Sequence, residues 1–331
     1  KIEPRRAHIQ ARQSCVFAIA GELGWNGPWR EAVRHGLSFL DTAFLRPDGF
    51  YRRLVSPDGK PEVDEATLYD QAFVLLAWAG AAKAGILAAD MRVRARILRE
   101  KIEAAMRYEK GGFKEFGAYP FQSKSHAPLM DAALAWREID DTPEWNRLAD
   151  DIGTHCITRL IDPDTMMLYD YYDENWKVLH DGSESTIHPG RHFLWSQLII
   201  HWANLRNDEN AKAMAQRLFE VGAQGVSEER NLTFDRYGAD FNKVCDTARL
   251  WPQTERLRAA LTFAKTADEL FAMFYLENAK SAAESLWRYL EPAKPGLWHD
   301  RMLADGGFAD EYAPATALHH LARVVVSLRS V

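Results

Sequence analysis

Five times along the chain, a short aromatic run marked by glycine or a Pro-Asp-Gly turn separates one group of apolar-periodic helical segments from the next. The runs are Phe50-Tyr51-Arg52-Arg53-Leu54-Val55 ahead of Ser56-Pro57-Asp58-Gly59, Gly111 to Phe116, Leu168 to Trp176, Leu232 to Gly238, and Gly296 to Arg301 with Asp305-Gly306-Gly307. Each reads as a strand entering a tight turn. Between them the periodicity predicts helices over 5–20, 28–40, 64–84, 90–108, 125–138 and 143–160, helix pairs over 189–221 and 240–265, a helix over 268–290 and a last one from Pro314. Roughly a dozen helices in about six hairpins, with no Pro, Gly or Ser-rich linker, point to an all-α fold. The expected architecture is an (α/α)6 barrel, a closed toroid formed by a single domain over 1–331, with short β-hairpins on one face. An open α-solenoid is the rival; the buried character of alternate helices and the lack of a fixed repeat length favour closure.

The stretch from His188 to Trp202 shows where such a fold would keep its chemistry. It enters a helix through Pro189, where a missing N–H costs nothing, and runs into an almost unbroken apolar rod. His188, Arg191 and His192 stand in its first turn, so titratable groups meet the mouth of a buried helix. They serve either a small-molecule site or the capping of a core helix.

Composition narrows the function classes. Acids exceed bases by 47 to 41, and no basic cluster interleaved with aromatics occurs, so nucleic acid has nothing to grip. The three cysteines, Cys15, Cys156 and Cys245, form no CxxC pair, and neither a zinc site nor a disulfide framework is expected. No apolar run is long enough to span a bilayer, and the N-terminus lacks the basic-then-apolar layout of a signal peptide. A cytoplasmic protein without a membrane partner is expected, acting as a monomer or homodimer.

Several segments resemble the N-acylglucosamine 2-epimerase family. They are Arg12 to Ala18, Leu68-Tyr69-Asp70-Gln71-Ala72-Phe73 and its continuation to Ala77, Met130 to Ala135, the Pro189-Gly190 helix entry, Leu250-Trp251-Pro252-Gln253-Thr254-Glu255, and Leu318-His319-His320-Leu321. The resemblance covers most of the chain. It implies an (α/α)6 barrel that interconverts sugars at C2 or between aldose and ketose. In the family, the Pro-Gly of the central helix is followed by a catalytic His and, three residues later, a Glu; here those positions hold Arg191 and Leu194. A shift of one residue lets His192 stand in, yet the next turn then offers Trp195 and no carboxylate. The family's Asn-Pro-His-Met-His pattern has become Lys124-Ser125-His126-Ala127-Pro128, and the His of the terminal helix is kept as His320.

Aldose–ketose isomerisation through a cis-enediol needs one base, whereas epimerisation is easier with groups on opposite faces of the sugar. With His320 as the one family His retained, isomerisation of mannose, mannose 6-phosphate or a related hexose is the expected activity, with no cofactor and no metal. His320 is the expected proton shuttle and His192 the second candidate, each set against a packing or capping role. Arg191 suits an anionic group or an oxyanion, or else pairs with Glu184 or Asp131. His188, His126, Arg52, Tyr69, Gln253 and Glu255 are further substrate-binding candidates, with Asp70 and Glu255 also read as anchors of other groups. Trp25, Tyr51, Trp251 and Trp298 offer rings to a pyranose face, against the core role of most tryptophans. The alternatives are a sugar 2-epimerase, a glycoside or unsaturated-uronate hydrolase using Asp70, Asp131 and Glu255, and an inactive sugar-binding relative.

Overall fold

The computed structural model describes residues 3–179, 186–238, 240, 242, 244–291 and 294–330. Among these lie eleven α-helices and a set of two- and three-residue strands. The chain resolves into two compact units, one of residues 1–156 with 171–177 and the other of 157–170 with 178–331. No helix of the described residues is long and apolar enough to cross a membrane.

The first unit holds α1 (Ala7–Glu22), α2 (Trp29–Phe39), α3 (Leu68–Lys83), α4 (Ala88–Met106), α5 (Ser123–Arg137) and α6 (Pro143–His155). Within it α1, α3 and α5 form a buried row, each member packing on the next, and α2, α4 and α6 cover them. All of α3 except Tyr69, Gly80 and Lys83 is buried, which its nearly unbroken apolar sequence requires. The second unit repeats the plan with α7 (Pro189–Arg206), α8 (Glu209–Gln224), α9 (Leu250–Thr266), α10 (Glu269–Trp287) and α11 (Ala315–Arg329). Here α7 and α11 pack on α9, with α8 against α7 and α10 against α9. The outer helix α8 buries only the stripe Ala211, Ala215, Leu218, Phe219 and Gly222 with Val221, the mark of a helix with one covered face. Leu218 and Phe219 alone contribute roughly 1.5–3 kcal/mol each by leaving water.

Two helical expectations need correction. α3 begins at Leu68, not at residue 64, because Thr67 caps it by accepting from the Asp70 N–H at 3.1 Å while Asp64 is spent on Arg52. The expected pair over 240–265 is a single helix, α9. Just ahead of it the Asp235 carboxylate accepts from the Thr247 hydroxyl and the Arg249 N–H at 2.9 Å each, and Ala248–Arg249 pairs with Arg301–Met302.

All five aromatic runs form small β-hairpins or bridges, closed by Leu45 with Tyr51, Arg107 with Phe113, Ile161 with Leu168, Val226 with Thr233 and Met302 with Phe308. Hairpins this short do not hold themselves together in water. Four are tied down by one device. Gln71, His126, His192 and Gln253 each stand four residues after the residue that precedes their helix, and all are 0% exposed. Each accepts a hairpin N–H, from Tyr51 at 2.8 Å and from Phe113, Leu168 and Thr233 at 2.9 Å. Each also reaches back to the carbonyl before its helix, on Thr67, Gln122, His188 or Arg249, at 2.9–3.1 Å. One side chain thus satisfies a hairpin donor and an acceptor at the helix entry.

The hairpins also reach helix N-termini. The Glu115 carboxylate accepts from the N–H groups of Leu68 and Tyr69 at 2.6 and 3.1 Å, and the Asp300 carbonyl from that of Leu250 at 2.7 Å. In each unit, therefore, the hairpins gather where the buried helices begin.

Candidate active site

In the second unit, groups from the starts of α7 and α9 and from the first turns of α11 form a chain of contacts. Glu255, 1% exposed on α9, is its centre. Its Oε1 accepts from His320 Nδ1 at 2.8 Å, and its Oε2 from Gln197 Nε2 at 2.7 Å and Arg258 Nη1 at 2.9 Å. Burial alone would push this carboxyl up; Arg258, then the His320 hydrogen bond, overcome it and bring the pKa down to about 2. An ionised Glu255 makes Nδ1 the protonated nitrogen of a neutral His320, and leaves Nε2 as its basic atom. His320 is only 17% exposed in its side chain, so its ring is fixed and partly reachable.

The Trp251 ring lies 6.3 Å from the His320 ring, centroid to centroid, and its other edge meets Gly190. A Cβ on Gly190 would stand 2.8 Å from the Trp251 ring and 3.0 Å from Pro252, so glycine is what lets this tryptophan lie across the start of α7. Gly190→Ala is expected to displace the ring, at a cost of about 1–3 kcal/mol, and to raise KM more than it lowers kcat; steady-state kinetics and tryptophan fluorescence check this.

At the start of α7, Asp170 takes both neighbouring side chains. Its Oδ1 pairs with Arg191 Nη1, and its Oδ2 lies 3.2 Å from His188 Nε2, while His188 Nδ1 donates to the Asp235 carbonyl at 2.9 Å. Burial lowers the His188 pKa. Of the partners expected for Arg191, Glu184 lies outside the described residues; Asp170, which was not expected, is a partner among the described residues. In the same unit, Trp298 keeps a buried Nε1–H with no hydrogen-bond partner among the described residues, a donor that a ligand oxygen would satisfy.

The first unit carries a second cluster. Asp70 Oδ1 accepts from the His8 backbone N–H at 3.1 Å and meets His8 Nδ1 at 2.9 Å, while its Oδ2 takes the Thr67 hydroxyl. Asp70 is an anchor, as one of its two expected roles had it. Arg12, 7% exposed, donates from Nη2 to the Tyr69 hydroxyl at 2.8 Å and lies 4.2 Å over the Phe73 ring. Its buried Nε has no hydrogen-bond partner among the described residues. Lys124 stands 4.9 Å over the Tyr69 ring.

The model of the N-acylglucosamine 2-epimerase (GlcNAc 2-epimerase) family matches residues 1–323. The chain belongs to that family. It is 36% identical over 334 residues to the mannose-6-phosphate isomerase of Rhizobium meliloti (strain 1021), covering 98% of this chain and 86% of the relative. Its fold is that of a D-mannose isomerase, at TM-score 0.89 and 17% identity over 99% of this chain and 88% of the other. It is also that of the cellobiose 2-epimerase from Bacillus thermoamylovorans B4167, at TM-score 0.87 and 16% identity over 100% and 89%. The helical-barrel fold class expected from the repeated pairs is the one the chain shares with them, and its enzyme class is that of the sugar isomerases and epimerases.

Within this N-acylglucosamine 2-epimerase member, several expected site residues have other work. His192, expected as a second catalytic group, is buried with both ring nitrogens bound to backbone, and burial brings its pKa down to about 4. His126, expected in a turn before a helix to bind a hydroxyl, lies inside α5 in the same state, also at about 4. Gln253, expected at the substrate, spends its amide on Thr233 and Arg249. Arg52 is held by Asp64 at 2.9 Å and by the Ala43 carbonyl at 3.2 Å, so its fork braces the first hairpin. Trp25 stacks at 6.2 Å on Phe17, and Tyr51 is a buried core ring whose hydroxyl meets Asp41. The sequence reading missed Arg12, His8, Asp170, Gln197 and Arg258. For Arg258 a signal existed: an arginine three residues after a glutamate, on the same helix face.

Proposed function

We propose that the protein is an aldose–ketose isomerase acting on a mannose-type hexose or its 6-phosphate, with His320 as its proton shuttle. The observation that carries the reading is the 2.8 Å contact of His320 Nδ1 with a Glu255 held as an anion. Nε2 takes the proton from C2 of the open-chain aldose. Electrons shift to the carbonyl oxygen and a cis-enediol forms, as an oxygen proton passes from O2 to O1. The imidazolium, stabilised by Glu255, then returns its proton to C1, and the C2 carbonyl of the ketose forms. Arg191, His188, Trp251 and Trp298 are the groups of the second unit that we assign to holding the sugar.

Isomerisation is preferred to 2-epimerisation because the expected second base, His192, is bound on both nitrogens. A hydrolase would need a carboxylic acid to protonate its leaving group, and a Glu255 with a pKa of about 2 supplies none near neutrality. The mannose and phosphate assignment draws on the name of the 36% identical relative. We further propose a single domain, since one family match runs through both units, and cytoplasmic action as a monomer or homodimer.

Proton NMR in D2O tests the reading. Incubation with mannose, mannose 6-phosphate, glucose, N-acetylglucosamine or fructose is expected to give ketose formation with exchange at C1 or C2 for the mannose-type sugar. Exchange at C2 with only the epimeric aldose formed would replace this reading with the epimerase one, and no exchange with any sugar would end both.

A further inference from the structure

We propose that Arg258 is a positioning residue for the proton transfer: by contact with Glu255 it keeps the Glu255–His320 pair in its proton-accepting form, without touching the sugar. The inference rests on the isomerase reading for its activity readout, but its geometry stands apart from any substrate.

A carboxylate as buried as Glu255 loses its water and takes up a proton unless donors replace that water. Three donors face it. His320 on α11 serves one oxygen; Gln197 on α7 and Arg258 on α9 itself serve the other. Arg323, also on α11, adds the weakest of the Coulombic pulls, and His319 lies beside His320 at 5.8 Å between ring centroids. Of the described groups in hydrogen-bond contact, Arg258 alone carries a permanent charge, since Gln197 is neutral and His320 must be neutral to act as a base.

The consequence follows from counting protons. With Glu255 ionised and His320 neutral, the pair holds one negative charge, which Arg258 balances at 2.9 Å. Take that charge away and the buried pair binds a proton more readily. If the proton rests on His320, Nε2 is protonated. If it rests on Glu255 and is donated to Nδ1, the other tautomer is selected and Nε2 again carries hydrogen. Either way the basic atom is lost. A buried arginine with a buried glutamate is poor at stabilising a fold, because desolvation offsets most of the attraction. Its effect here is on the state of the histidine.

The test compares the pH dependence of kcat/KM for Arg258→Gln, Arg258→Lys and Gln197→Leu with that of the parent, together with the nitrogen-15 NMR titration of His320. Arg258→Gln is expected to move the acid limb upward by about one pH unit or more, so that kcat/KM falls about tenfold at pH below the new limb and recovers at alkaline pH. A misfolded variant would not recover. Arg258→Lys is expected to leave the limb in place, and Gln197→Leu to move it less than Arg258→Gln does. An Arg258→Gln limb that coincides with the parent's would overturn the proposal. So would an equal shift in Arg258→Lys, which decides the matter should Arg258→Gln fail to fold. If the parent converts no sugar at all, the isomerase reading falls, while the His320 titration in the same variants still decides the role of Arg258.

Discussion

His320→Gln is expected to lower kcat by about 10²–10⁴-fold, the usual contribution of a positioned general base, with little change in KM and little change in stability. Glutamine keeps an amide N–H that can donate to Glu255 Oε1, so the buried carboxylate retains its partner and the hydrogen bond now 2.8 Å long is not simply deleted. What is removed is the lone pair of Nε2. The substituted side chain is partly exposed, so no cavity of consequence forms. Glu255→Gln is expected to behave otherwise. It leaves Arg258 buried opposite a neutral amide, and breaking a buried pair from one side costs about 3–5 kcal/mol, so both activity and melting temperature fall. Measured kcat, KM and thermal unfolding for the two variants separate the roles. A His320→Gln enzyme retaining activity within a few-fold of the parent would remove His320 from the mechanism.

The contrast between His320 and His192 shows what the sequence could tell and what it could not. The glycine-marked aromatic runs and the apolar periodicity were enough to find the eleven helices of the described residues and the five short hairpins or bridges, because both are local signals, although they also implied one helix too many before α9. Helix starts were less legible. Residues 64–67 are as polar as a helix entry should be, and only the Thr67 cap and the Arg52–Asp64 pair settle that α3 begins later. Residues 240–249 were read as helical, but the hydrogen bonds that hold Thr247 and Arg249 come from Asp235, outside the window.

For histidines the difficulty is of another kind. His126, His192 and His320 all sit on apolar helices, and nothing local says whether a ring nitrogen meets a carboxylate or a hairpin N–H. A shared position does: Gln71, His126, His192 and Gln253 all lie four residues past the residue before their helix, each following an aromatic run. That regularity was in the sequence, though it takes the hairpin contacts to see that glutamine and histidine fill one role there. Glu255 and Arg258, spaced for one helix face, were legible as a pair; that Glu255 also meets His320, 65 residues on, was not.

The same regularity gives the second large prediction. His126 and His192 are held neutral by burial, with pKa values of about 4 against an ordinary 6.5. Unfolded, each binds its proton near 6.5; folded, each refuses it until about pH 4. The unfolded state therefore holds more protons throughout that window, and stability falls as the pH drops from about 6.5 to 4. At 1.36 kcal/mol per unit the loss is about 3 kcal/mol for each histidine. A His126→Gln, His192→Gln double variant is expected to retain about the parent's stability at pH 7, because Gln71 and Gln253 make this tether with hairpin contacts of 2.8 and 2.9 Å. At pH 4 it is expected to be more stable than the parent by several kcal/mol, since the amide does not titrate. Leucine at either position instead leaves a hairpin N–H unsatisfied and costs about 1–3 kcal/mol relative to glutamine at every pH. Urea unfolding at pH 7 and pH 4 measures all of this, and isomerase activity at pH 7 adds a separate reading. A His192→Gln enzyme that folds normally yet is inactive would give His192 back the catalytic role that its two backbone hydrogen bonds deny it.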